Sequence, residues 1–148
     1  MKSQDMIYIV EDLEQELYDK DPAFYEKVLS DTEIGFIYSS NGWSDAVTFC
    51  GHCLYCSEVN SEDEIEEAGG FKKFLIQERD KFIDMLVKVK ENNINLELIL
   101  ELMCELFTDT MNNSNNRRLL PAWSDCSKDL KCEIRNAMRK AVNVLINE

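Results

Sequence analysis

The chain has 148 residues, 45% of them hydrophobic and 9% aromatic, with a formal net charge of −13. It is long enough for one core, while no apolar run approaches the roughly 20 residues of a membrane span, and Met6 to Val10 is too short for a secretory core. A single soluble, cytoplasmic domain over 1–148 without membrane association is therefore predicted, and the 17 acidic against 3 basic side chains of residues 1–70 exclude nucleic acid as a direct partner of that half.

In chain order, Met6, Val10, Leu13 and Leu17 fall on one helical face over 6–18, although Ile7-Tyr8-Ile9-Val10 could also open a strand. Asp21-Pro22 is a helix start, Asp as N-cap and Pro at the first helical position. Phe24, Tyr25, Val28 and Leu29 would be its buried side, with an end near Ser30. Ile34 to Tyr38, the Asn41-Gly42 turn and Trp43 to Cys56 then read as a hairpin, the one β element, spanning about 33–56. Ser57 to Gly70 is a polar surface segment. Ser61 and Glu64 stand at capping-box spacing ahead of a short helix that Gly69-Gly70 would end.

From Phe71 the period is helical. Phe71, Phe74, Leu75, Phe82, Leu86 and Val89 mark a buried face until Glu91-Asn92-Asn93 breaks it. A further helix over about 95–111 would bury Leu96, Ile99, Leu100, Met103, Leu106 and Phe107. After an Asn-rich loop, Ser124 or Asp125 would cap a last helix with Leu130, Ile134, Ala137, Met138, Ala141, Val142 and Leu145 inward. The expected fold class is α+β and mainly helical, about five helices with one small antiparallel sheet.

Residues 71–148 carry 12 acidic and 13 basic side chains, a net of +1, so the whole excess lies in the −14 of residues 1–70. Within the helical half, Glu97, Glu101, Glu105 and Asp109 repeat at i,i+4, an arrangement of like charges that weakens an isolated helix. Lys131, Arg135 and Arg139 repeat at the same spacing. Two antiparallel helices joined by the 112–123 loop would set the stripes side by side, though each exposed ion pair contributes only ~0.2–1 kcal/mol and cannot dictate packing.

Cys50-Gly51-His52-Cys53-Leu54-Tyr55-Cys56 is the densest chemical motif. Its Cys-Gly-His-Cys core resembles the active-site motif of protein disulfide isomerases, a resemblance covering four residues that implies a thiol of depressed pKa at a helix N-terminus. The surroundings depart from that pattern: a hairpin precedes the motif, and Pro121, the only later proline, precedes a helix. Cys50, His52, Cys53 and Cys56 are also candidate ligands for zinc or an iron–sulfur cluster, but a second Cys-x2-Cys pair is missing. On a strand, alternation would turn Cys50 and Cys53 to opposite faces, which favours cysteines packed as small hydrophobes. No cofactor is expected.

Catalytic motifs are absent from the sequence: His52 is the single histidine, and no nucleophile elbow, P-loop or dinucleotide fingerprint occurs. The expectation is a binding protein and not an enzyme. Glu58, Glu62, Asp63, Glu64, Glu66 and Glu67, together with Glu11, Asp12 and Glu14, are the candidate partner-binding residues, because a one-signed acidic face steers association with a basic protein surface. An acidic inhibitor or neutraliser of a basic partner, such as an immunity protein or anti-defence inhibitor, is the favoured reading. The alternatives are a thiol or zinc protein centred on Cys50–Cys56 and a plain interaction or oligomerisation module using helix 95–111.

Overall fold

The computed structural model describes residues 2–23, 34–92, 95–112 and 119–147. Among them are five helices and one three-stranded antiparallel sheet, an α+β and mostly helical fold. No helix among the described residues is long and apolar enough to cross a membrane.

Helix α1, Ser3–Lys20, buries Met6, Val10 and Leu13, so the 3.6-residue period prevails over the β-branched run at Ile7–Val10. Asp21 leaves the helix with its N–H donating to the Leu17 carbonyl at 3.0 Å, and Pro22 and Ala23 are again helical. The expected buried side Phe24 to Leu29 and the end near Ser30 lie outside the described residues, as do residues 113–118 of the expected 112–123 loop.

The β element is a meander, one strand more than a hairpin. Strand β1, Phe36–Ser40, pairs with β2, Asp45–Phe49, across a four-residue loop, and β2 pairs with β3, His52–Cys56, across Cys50-Gly51. Cys50 (φ 51°) and Gly51 (φ 76°) both lie in the left-handed region, as a two-residue turn matching strand twist requires. The turn is seated against the helix Leu96–Asn112. A Cβ added to Gly51 would stand 2.3 Å from the Met103 carbonyl oxygen, so only glycine fits. The strand alternation expected around the cysteines also fails. Pairing steps from Val47↔Tyr55 directly to Thr48↔Cys53, which leaves Leu54 as an extra, bulged residue and allows Leu54 and Tyr55 both to be buried.

Helix α2, Glu62–Glu67, is capped as its sequence demands: Ser61 Oγ accepts from the Glu64 N–H. It stops in a Schellman arrangement, with Gly69 N–H donating to Glu66 and Gly70 N–H donating to Ile65, each at 3.0 Å. Helix α3, Phe71–Glu91, buries all six residues that its period marked. It lies on the sheet: Tyr55 meets Phe71 edge-on at 5.0 Å, the Arg79 guanidinium sits 4.7 Å above the Phe49 ring, and His52 stacks on Phe82 at 4.4 Å.

Helix α4, Leu96–Asn112, buries Leu100, Met103, Cys104, Phe107, Thr108, Thr110 and Met111. Leu96 and Ile99 are half-buried against the core, whereas Leu106, expected inside, is 38% exposed. The buried threonines satisfy their hydroxyls on the preceding turn, Thr108 on the Glu105 carbonyl and Thr110 on the Leu106 carbonyl. Helix α5, Lys128–Asn147, buries Ile134, Ala137, Met138, Ala141 and Val142, with Leu130 and Leu145 half-buried. Its cap is Ser127, whose Oγ accepts from the Leu130 N–H at 3.1 Å. Ser124 and Asp125, the expected caps, belong to a short 3-10 turn, Trp123–Asp125.

The antiparallel charge pairing of α4 and α5 is realised. Arg135 binds Glu101 with both Nε and Nη2, and Arg139 Nη2 reaches Glu97 Oε2 at 2.9 Å. The same register carries Lys131 toward Glu105, but its ammonium lies 5.6 Å from the centre of the Trp123 ring, beside the Arg135 guanidinium at 5.2 Å. Half-buried Trp123 thus adds a cation–π layer to the ion pairs.

Candidate functional site

Strand pairing fixes the two ends of the sheet differently. The Cys50-Gly51 turn is buried against α4, while the β1–β2 loop and the turn after β3 come together at the other end. There the Asp45 N–H donates to Ser57 Oγ at 2.8 Å and the Ser57 N–H donates to the Asp45 carbonyl at 2.9 Å. Asn60 ties the second turn: its side-chain oxygen accepts from the Cys56 N–H at 2.9 Å, and its amide donates to Glu64 at 3.0 Å.

Between this end of the sheet, the first turns of α1 and helix α2 lies a cleft of about 420 Å³. Met6 and Ile65 supply apolar walls, and Asp45, Tyr55, Ser57, Asn60, Glu62 and Glu66 supply the polar ones. Three carboxylates, Asp45 from β2 and Glu62 and Glu66 from successive turns of α2, therefore share one concavity. Asp45 is held in place by the hydroxyls of Ser3, at 3.2 Å, and Tyr38. Burial, reinforced by the negative charge of Asp45 and Glu62, pushes the Tyr55 phenol above its ordinary range. Burial first, then its hydrogen bond to Asp45, does the same to Tyr38. Both phenols stay protonated as donors, and the charge of the cleft is carried by carboxylates.

Of the residues singled out from sequence, Glu62 and Glu66 line the cleft. Glu58, Asp63, Glu64 and Glu67 are exposed around α2, where they extend the negative field. Glu11 and Asp12 are exposed on the side of α1 opposite Met6, Val10 and Leu13, and Glu14 is half-buried on its flank, so these three carboxylates form a second acidic surface and do not line the cleft, to which α1 contributes Met6. Asp45, Tyr55, Ser57 and Asn60 escape the sequence reading. Asp45 carries one usable signal, a carboxylate placed shortly after the Asn-Gly turn, at the mouth of the sheet.

The thiol-rich segment is dispersed. Cys50 is buried in the turn, Cys53 is exposed and Cys56 half-buried on β3, and all six cysteines are free. Burial pushes the Cys50 thiol up to about 12, and partial burial of the Cys53 sulfur, with Cys56 beside it, raises the Cys53 thiol as well, the opposite of an activated thiol. His52 is held below its ordinary pKa by burial, against the pull of Glu78, and its ring is engaged with Phe82. Among the described residues no group of three or more His, Cys, Asp or Glu side chains is placed to hold a metal ion.

Comparison with protein families, with curated proteins and with solved structures gave no significant match.

Proposed function

We propose that this chain is a small acidic binding protein that occludes a basic, nucleic-acid-binding surface of a protein partner, in the manner of an immunity protein or anti-defence inhibitor. The observation that carries this reading is the cleft in which Asp45, Glu62 and Glu66 converge. A Lys or Arg side chain entering it would exchange hydration for several carboxylate oxygens against apolar walls, where a charge-assisted hydrogen bond is stronger than on an open surface. The surrounding Glu58, Asp63, Glu64 and Glu67 would steer encounter from a distance.

The experiment is capture of basic proteins from host lysate by the wild-type chain and by the double variant E62Q/E66Q. Ionic strength is raised from roughly 0.01 M, where charges act over about 30 Å, to 1 M, where they act over about 3 Å. The reading expects a basic partner retained by wild type at low salt, released at high salt and lost by the variant. Equal retention by both, or retention indifferent to salt, overturns it.

A second reading rests on α4. Leu98, Leu102 and Leu106 repeat at i,i+4 and are 68%, 54% and 38% exposed, an apolar stripe suited to self-association. Light scattering of wild type and L98E/L102E tests it: a wild-type oligomer that the variant dissolves supports the stripe, and a monomeric wild type disposes of it.

A further inference from the structure

The two turns beside the acidic cleft carry exposed apolar side chains that the sequence did not suggest. Trp43 is 91% exposed, the most exposed large apolar side chain among the described residues, and Val59 is 77% exposed. They stand on the two turns that bracket the cleft, Trp43 two residues before Asp45 and Val59 between Ser57 and Asn60. The Asp45–Ser57 backbone and side-chain bonds fasten those turns to each other.

Both turns are closed by internal hydrogen bonds. Asn41 Oδ1 accepts from the N–H groups of Trp43 and Ser44, each at 2.9 Å, and Gly42 takes the positive φ of 87° the loop needs. The second turn is closed by Val59 N–H and Asn60 N–H on the Cys56 carbonyl, at 3.0 and 2.8 Å. A tryptophan has only two side-chain torsions to fix when it is covered, one reason it so often anchors interfaces.

Resting on the basic-partner reading, we infer that Trp43 and Val59 are the apolar anchors of the docking surface around the cleft, and that its occupant is a protein segment presenting arginine beside an apolar residue. Charge complementarity selects a cationic segment. The indole narrows the choice to arginine, because a guanidinium can stack on the ring while its fork binds carboxylate, and an ammonium does this less well.

The probe is a synthetic peptide alternating Arg with Leu, and its counterpart with Lys for Arg, titrated calorimetrically into wild type, W43A and E62Q/E66Q. Circular dichroism verifies that each variant is folded, as substitution of an exposed side chain should permit. Wild type is expected to prefer the Arg peptide several-fold. W43A should bind it roughly thirtyfold more weakly, the loss of a hot-spot residue, and lose the preference for Arg over Lys. W43A binding both peptides as wild type does would overturn the inference while the salt-dependent capture still judged the basic-partner reading by itself. Failure of wild type to bind either peptide would overturn it as well. Weakening by E62Q/E66Q but not by W43A would leave the cleft as the binding element and remove Trp43 from it.

Discussion

Arg135 and Glu101 form a two-point contact between α5 and α4, with Arg135 Nη2 3.2 Å from Glu101 Oε2 and Nε engaging Oε1. Both side chains remain about two-fifths exposed, at 40% and 42%, so water screens much of the attraction. A double-mutant cycle of Arg135→Met and Glu101→Gln is expected to give a coupling of about 0.5–1 kcal/mol at neutral pH. The Arg135 hydrogen bond, acting against burial, holds the Glu101 carboxyl below its ordinary range. A depressed carboxyl stabilises the fold above its unfolded pKa and loses that contribution as pH falls through its lower folded value. The coupling should therefore fade on acidification below about pH 4. Coupling of zero at pH 7 would mean that the stripes are independently solvated.

Glycine to alanine changes at the two sheet turns should separate strain from clash. Gly42 has a φ of 87° and nothing within 4 Å of where a Cβ would stand, so Gly42→Ala is expected to cost about 1–2 kcal/mol for the left-handed backbone. Gly51 adds a collision with the Met103 carbonyl, raising the loss to roughly 2–5 kcal/mol. Urea unfolding of both variants measures this, and equal losses would show that the turn is not pressed against α4.

His52 predicts a second pH effect. Its folded pKa is depressed by burial, so the neutral ring stabilises the fold at pH values above the unfolded pKa of about 6.5, and this contribution is lost as pH falls toward the folded value. His52→Phe keeps a ring against Phe82 and cannot titrate. Between pH 8 and pH 5, wild type should lose stability relative to this variant; parallel curves would refute the shift.

Alkylation of the native chain at pH 8, read by mass spectrometry, should modify exposed Cys53 and Cys132 and spare Cys50 and Cys104, whose thiols burial pushes up to about 12. Denaturant should expose all four. Rapid native labelling of Cys50 would mean that the β2–β3 turn opens from α4.

Elements dominated by one local signal are legible from sequence. Helix α3 buries each residue its period marks, and Ser61 and Gly69-Gly70 bound α2 as their chemistry requires. Sequence misleads where tertiary contact overrides a local rule. A cysteine in the left-handed region is no recognised turn signal, so Cys50-Gly51 reads as strand interior, and the bulge at Leu54 then reverses the faces assigned beyond it. Leu106 matches the apolar period of α4 but lies at the edge of the stripe, with Phe107 taking the inward place. Glu62 and Glu66 are visible within an acidic tract, but their meeting with Asp45, 17 residues before Glu62, depends on strand register, which only the folded sheet supplies.

The seating of Gly51 on the Met103 carbonyl anchors the sheet at one end. Replacing exposed Trp43 or Val59 would alter the surface at that far end without reaching the packed turn, whereas Asn41, Ser57 and Asn60 hold the two loops in shape. The antiparallel sheet thus has one end fastened to α4 through Gly51 and the other carrying the solvent-facing side chains of Trp43 and Val59.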